Sequence, residues 1–134
     1  MIKQIKCLYW MKMMVGNKKI KHYKDINKIK KDDHYILNWF DKAKEDYFKL
    51  DGEQIIFVDK ALDRIKIIGM KAGEKLHGKL CNCRKLKNRK KGLRIVFKEG
   101  NSDKDVDIID IVVIGKRSDN EVYNEAEKRL DDKS

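Results

Sequence analysis

A run of basic residues at Lys79–Lys98 carries side chains that could bind phosphate. The stretch KLCNCRKLKNRKKGLRIVFK includes nine Lys or Arg residues and no acidic residue. Lys85 and Lys87 are two positions apart, so in a strand they point to the same face, because side chains alternate with a period of two. Arg94 follows two residues after Gly92, which favours a turn. A strand with one face of cations is suited to contact phosphate groups rather than to pack in a core.

The composition also favours a polyanionic partner. The chain has 134 residues, with 33 Lys or Arg against 22 Asp or Glu, and a formal net charge of +11. Lys and Arg displace the counterions of nucleic acid, so RNA or DNA is the natural partner. Three cysteines, an odd number in a Lys-rich chain, indicate reduced thiols and a cytoplasmic location. No apolar stretch approaches the length of a membrane span.

The hydropathy pattern predicts an α+β domain with one sheet. We expect a first strand at Tyr35–Phe40, a helix capped by Asp41 that runs to about Leu50, and a second helix at Glu53–Ile68, which together form an antiparallel helical hairpin. A three-stranded antiparallel meander completes the sheet, with strands at Asn82–Asn88, Leu93–Lys98 and Val106–Lys116. The apolar run Ile108–Ile114 predicts that the last strand is interior and covered on both faces. Ser118 and Glu121 match a capping box that opens a final helix to about Leu130.

The first 33 residues differ in character from the rest. Met1–Asp33 holds ten Lys and three Asp, hence +7. We interpret it as a basic N-terminal extension, flexible or with one short helix around Lys18–Lys31, where apolar residues recur near helical spacing. Residues 34–134 then form the domain. Because the candidate site residues all follow Asp33, we expect the extension to be dispensable for folding and activity.

Two segments resemble a known family, the RelE-type toxins of bacterial type II toxin–antitoxin modules in the RelE/ParE superfamily. One is KLKNRKKGLRIVF at Lys85–Phe97, and the other is IDIVVIGKRSDNEVYNEAEKRL at Ile109–Leu130. The resemblance extends from about Tyr35 to Leu130. It implies a RelE-like fold, a cognate antitoxin protein as partner, and cleavage of mRNA on the ribosome without a metal or other cofactor.

The resemblance also implies a set of site residues. The catalytic set carried onto this sequence is Lys85, Lys87, Arg94, Arg117 and Tyr123. The remaining cations of the basic stretch, Arg84, Arg89, Lys90 and Lys91, have no catalytic position in the motif and are assigned to contacts with the RNA or ribosome backbone.

RNA cleavage by its own 2′-hydroxyl needs a base, an acid and positive charge on the phosphorane. A guanidinium fork stays charged and can hold two phosphate oxygens, which suits Arg94 and Arg117. Neighbouring cations favour loss of a proton, so Lys85 or Lys87 could act as the base. Tyr123 could stack on a base, bind the 2′-hydroxyl or transfer a proton.

Each of these residues has an alternative structural role, and the chain has alternative functions. Lys85 and Lys87 could be solvated charges on an exposed strand. Arg94 could pair with Glu99 or Asp110. Tyr123 could belong to the core. The same fold could also serve a ParE-like toxin that inhibits DNA gyrase without nuclease activity, or a non-catalytic RNA-binding domain.

Overall fold

Five strands form one mixed sheet in the computed structural model, which describes residues 20–101, 106–116 and 121–133. Residues 20–27 form helix α1. The other elements are β1 (Tyr35–Trp39), α2 (Asp41–Phe48), α3 (Gly52–Ile68), β2 (Glu74–Lys75), β3 (Cys83–Asn88), β4 (Leu93–Glu99), β5 (Asp107–Lys116) and α4 (Glu121–Lys133). Short 3-10 turns at Gly69–Ala72 and Gly78–Leu80 flank β2. The predicted α+β class is therefore confirmed.

The strand order places the chain's most apolar segments in the middle of the sheet. The order is β1-β5-β4-β3-β2, with β1 parallel to β5 and every other neighbouring pair antiparallel. Consecutive residues Leu93–Phe97 of β4 are all buried, as are Ile109–Ile114 of β5. Because successive side chains point to opposite faces, both faces of the sheet are covered at this point.

The helix boundaries follow from local capping. Phe40 occupies the N-cap position of α2 and makes no side-chain cap hydrogen bond, so the predicted cap at Asp41 is wrong, and Asp41 lies in the first turn instead. Asp51 caps α3: its carboxylate accepts from the Gln54 backbone N–H at 2.8 Å, and the Gln54 side chain accepts from the Asp51 backbone N–H. Only Lys49–Asp51 separate the two helices.

A buried ion pair fixes α4 to the sheet. Arg129, 8% exposed, donates from Nη1 to Asp46 Oδ2 of α2 at 2.7 Å and to the Val112 carbonyl of β5 at 2.8 Å. Its Nε donates to Glu125 at 3.1 Å, and Asp46 also accepts from the Ile114 N–H. Burial disfavours the guanidinium charge, but the hydrogen bonds and charges of Asp46 and Glu125 outweigh it and raise the pKa of Arg129.

Residues 20–33 pack onto the core instead of projecting from it. Ile26 of α1 is buried, and the Tyr23 ring lies 5.3 Å from the rings of both Trp39 and Phe48. The Trp39 indole N–H donates to Asn27 at 2.7 Å. The short helix proposed within Lys18–Lys31 is present over the described residues 20–27, whereas the remainder of Met1–Asp33 before residue 20 lies outside the described part of the chain.

A buried lysine holds this segment from the other side. Lys66 of α3 is 3% exposed, and its Nζ donates to the carbonyls of Ile26 at 2.8 Å and Lys28 at 3.1 Å. The carboxylate of Asp33 lies 3.4 Å from the same nitrogen. A buried ammonium without these acceptors would be costly, so α3 and residues 26–33 stabilise each other. The domain boundary after Asp33 stays a prediction. These contacts nevertheless indicate that removal of residues 20–33 destabilises the domain.

We predict that a chain beginning at residue 34 is destabilised by roughly 3–5 kcal/mol relative to the full chain, because Trp39 and Phe48 lose the apolar cover of Ile26 and Tyr23, and Lys66 loses its hydrogen bonds to residues 26–33. Chemical denaturation measures this difference. A chain beginning at residue 20 keeps the contacts of α1 and is the matched control. Equal stability of the full chain and the chain from residue 34 would show that the extension is dispensable for folding.

No helix in the described residues is both long enough and apolar enough to cross a membrane.

Candidate functional site

The β3–β4 hairpin brings three of the five candidate catalytic residues to one face. The hairpin pairs Lys87 with Arg94 and Lys85 with Val96, and it turns at Gly92, whose φ of 64° favours glycine. Cross-strand partners share a face, so Lys85, Lys87 and Arg94 lie on the same side of the sheet. The hairpin is formed by local sequence, because a turn glycine joins two strands with a period of two.

Helix α4 adds Tyr123 to this face. The Lys85 Nζ lies 5.6 Å from the centroid of the Tyr123 ring, which is within cation–π distance. Tyr123 is half-buried and packs against the core, so it also has the structural role that the sequence analysis gave as an alternative. The neighbouring Val122 lies over Gly115 of β5, the register partner of Arg94. The start of α4 therefore covers the end of the sheet where Arg94 lies.

Arg94 is a buried guanidinium without a carboxylate partner among the described residues. It is 6% exposed, and Nη1 donates to the Leu93 carbonyl at 2.9 Å, while Nε has no hydrogen-bond partner. The alternative pairing with Asp110 is wrong, since Asp110 binds Lys98 at 3.1 Å and accepts from Asn38 at 2.8 Å. Glu99 is exposed and makes no ion pair with Arg94 either. A buried charge left unpaired costs free energy, and an external anion would offset that cost.

Lys87 differs from Lys85 in its partner. Its Nζ lies 3.6 Å from Glu74 Oε2 on the edge strand β2. Lys85 has no carboxylate partner in the described part of the chain, although Glu74 is its register partner across the sheet. Sequence reasoning missed Glu74, because a two-residue strand is too short to give a periodic pattern. Glu74 is exposed and can be displaced from Lys87 by a phosphate.

Arg117, the fifth candidate, lies outside the described residues, as does Ser118 of the predicted capping box. Lys116, the last residue of β5, pairs with Leu93 next to Arg94. The role assigned to Arg117 stays a prediction.

The four predicted backbone-binding cations have different environments. Arg84 donates to the Gly73 carbonyl at 3.2 Å and is half-buried, so it also supports the turn before β2. Lys91 forms an ion pair with Glu53 at the start of α3. Arg89 and Lys90 are exposed and make no ion pair within the described ranges. These last two cations are therefore the most accessible to a polyanion.

The thiols near the site are not arranged as metal ligands. Cys83 begins β3 and is buried, and Cys81 is exposed. Burial raises the pKa of Cys83, opposed in part by the charge of Lys98. Within residues 20–101, 106–116 and 121–133, no group of three or more His, Cys, Asp or Glu side chains could hold a metal ion.

Lys85, Lys87 and Arg94 form a cationic face on the β3–β4 hairpin. The fold that carries this cationic face is that of a RelE-type toxin. A double arginine-to-alanine mutant of the Escherichia coli toxin RelE in the free state is 30% identical to this chain with a TM-score of 0.58, and the isolated E. coli RelE toxin is 30% identical with a TM-score of 0.52. Each comparison covers 72% of this chain and 98% of the RelE chain. No protein-family model and no curated protein matches the sequence. The chain belongs to the RelE toxin family.

We predict that Glu74→Gln strengthens binding of single-stranded RNA two- to threefold, because it removes the carboxylate that competes for Lys87. Fluorescence anisotropy with a labelled oligonucleotide measures the affinity. Glu45→Gln is the matched control, since Glu45 is exposed, has no ion pair among the described residues and changes the net charge equally. Equal gains for both variants would mean that RNA responds to total charge and not to the face that holds Lys87.

Proposed function

We propose that this chain is the toxin component of a type II toxin–antitoxin module and an endoribonuclease that cleaves ribosome-bound mRNA and so inhibits translation. The observation that carries the proposal is Arg94, which is buried, charged and without a carboxylate partner in the described residues. A structural arginine would be paired, as Arg129 is. Arg94 is suited to an anion that arrives from outside, and the lysines beside it indicate that the anion is a phosphate diester.

The reaction proposed is attack by the RNA's own 2′-hydroxyl. The 2′-oxygen bonds to phosphorus while the bond from phosphorus to O5′ breaks. The 2′-hydroxyl proton passes to a base, and O5′ takes a proton from an acid. The products are a 2′,3′-cyclic phosphate and a 5′-hydroxyl. The protein must supply the two proton-transfer groups and positive charge for the phosphorane.

The residues fit these roles in the following way. Arg94, together with Arg117, stabilises the phosphorane through its guanidinium fork. Lys85 or Lys87 accepts the 2′-hydroxyl proton. Tyr123, whose ring lies against Lys85, can stack on a base, hydrogen-bond the reacting hydroxyl or donate the proton that the leaving O5′ takes. No metal or other cofactor is required by this set.

The partners proposed are the ribosome with its message and a cognate antitoxin. No histidine lies in the motif region to act as a general acid or base, so catalysis depends on how the substrate is positioned. The ribosome would supply part of that geometry. The sheet ends in a two-residue edge strand, β2, which pairs with β3 at Lys85 and Arg84, and the exposed cations Arg89 and Lys90 follow β3 in the hairpin turn. An acidic or amphipathic antitoxin segment could cover this edge.

Primer extension on translating ribosomes tests the proposed function. We expect cuts in the message within the decoding site, with 2′,3′-cyclic phosphate and 5′-hydroxyl ends. Intact message together with DNA damage would favour the gyrase-inhibiting alternative. Intact message without DNA damage, in a protein that still binds RNA, would favour the non-catalytic domain.

We predict that Arg94→Met lowers single-turnover cleavage on programmed ribosomes a hundredfold or more, about 3 kcal/mol of transition-state stabilisation. The variant should melt at the same or a higher temperature than the wild type, because it replaces an unpaired buried charge with an apolar side chain of similar length. Thermal melts of the same preparations check this.

Arg89→Met is the matched control, because it also removes one guanidinium. Arg89 is exposed, so its loss should change cleavage severalfold at most and reduce the salt dependence of binding. Equal, modest losses for both variants would mean that Arg94 acts only through general attraction. A large fall in the melting temperature of Arg94→Met would make Arg94 a structural residue.

A further inference from the structure

A cavity of about 730 Å³ lies at the opposite end of the β3–β4 hairpin from Arg94. It opens between the Gly78–Leu80 turn, the start of β3, the end of β4 and the last turns of α4. Its volume is within the range of small-ligand sites. None of the five candidate catalytic residues lines it.

The lining of the cavity is cationic. Lys75, Lys79, Arg84 and Lys98 line it, against the carboxylates of Glu99 and Asp131. Lys98 is held by Asp110, and Arg84 donates one nitrogen to the Gly73 carbonyl. Lys75 and Lys79 are exposed and have no hydrogen bond or ion pair from their side chains within the described residues. Two ammonium groups are therefore available to an anion.

One wall of the cavity is apolar. Met70 and Leu130 are partly buried, pack against the core and line the cavity beside the buried Cys83. A cationic groove with an apolar platform is the combination that binds single-stranded nucleic acid, where phosphates meet cations and bases lie on apolar or aromatic side chains.

Cys83 and Lys98 place part of the cavity on the face that carries the candidate catalytic residues, whereas Lys75 pairs with Arg84 and lies on the opposite face of the edge strand β2. The β3–β4 register pairs Cys83 with Lys98, Lys85 with Val96 and Lys87 with Arg94, so these positions share one face. Two residues along a strand span about 7 Å. Lys98 therefore lies about 7 Å beyond the level of Lys85, and α4 runs along the same face from Tyr123 to Leu130. A strand of RNA that passes Lys87 and Lys85 would reach the cavity at Lys98, and Lys75 would meet it from the edge strand β2.

We propose that this cavity is a second RNA subsite, which holds a nucleotide next to the one at the reaction centre. Lys75 and Lys79 bind its phosphate, and Met70 and Leu130 contact its base. This inference rests on the proposed function, since it assumes that RNA lies along the cationic face. It assigns the cavity to a single-stranded RNA segment, and not to an acidic polypeptide.

The test compares the double variant Lys75→Ala/Lys79→Ala with Lys42→Ala/Lys60→Ala. The control removes two exposed lysines that have no ion pair in the described part of the chain. Fluorescence anisotropy measures binding of uncleavable 2′-O-methyl oligonucleotides from two to six residues long. We expect the cavity variant to weaken the longer oligonucleotides about tenfold and to leave the dinucleotide unchanged. Its slope of log affinity against log salt should fall by about 0.7, because the contact to one phosphate of a single strand is lost.

Three outcomes overturn the subsite. The two double variants could weaken binding equally, or the cavity variant could bind every length like the wild type. An oligoglutamate peptide of matched charge could also bind as tightly as RNA with the same dependence on the two lysines, which would assign the cavity to an acidic polypeptide.

Cleavage on programmed ribosomes separates this inference from the proposed function. With cleavage intact, the cavity variant should raise KM with kcat unchanged. If the wild type cleaves no message while its RNA binding still depends on Lys75 and Lys79, the subsite stands and the proposed function fails. If the wild type cleaves and the cavity variant has unchanged binding and KM, the proposed function stands and the subsite is withdrawn.

Discussion

The buried ion pair of Arg129 with Asp46 is the interaction on which the site depends. It joins α4 to α2 and, through the carbonyl of Val112, to β5. Asp46 in turn accepts from the Ile114 N–H, so the carboxylate is shared between the sheet and the helix. Removing one member would leave the others buried without compensation. Because this ion pair holds α4 in place, Tyr123, six residues before Arg129 in the helix, lies against Lys85 of β3.

Among the described residues, the buried arginines Arg94 and Arg129 differ in their surroundings, and this difference distinguishes a structural arginine from one suited to bind a ligand. Arg129 has every side of its guanidinium engaged by Asp46, Glu125 and a carbonyl. Arg94 is as deeply buried, yet within the described residues it has one backbone acceptor, and its Nε is unsatisfied. Burial of the Arg94 charge therefore costs free energy, on the same face of the hairpin that carries Lys85 and Lys87. Such a cost is expected where a charged ligand binds.

Local patterns in the sequence were enough to predict four of the five strands, each with one boundary off by one residue, whereas the two-residue strand β2 was missed. Alternation placed Lys85 and Lys87 on one face, and the apolar run placed β5 inside the sheet. Contacts between residues that are far apart in the sequence leave no local pattern from which they could be predicted. Asp46 and Arg129 are 83 positions apart, and Lys66 reaches Ile26 across 40. For that reason the packing of residues 20–33, the role of Glu74 and the unpaired state of Arg94 became visible only in three dimensions.

If the proposed function is correct, the cationic face acts on ribosome-bound mRNA during translation. Incorporation of labelled amino acid and of labelled thymidine, followed in the same bacterial culture after the chain is induced on its own, is the measurement that decides this. Amino-acid incorporation should stop first while thymidine incorporation continues. If thymidine incorporation stops first and protein synthesis persists, the site does not act on ribosome-bound mRNA, and the gyrase-directed function replaces the one proposed.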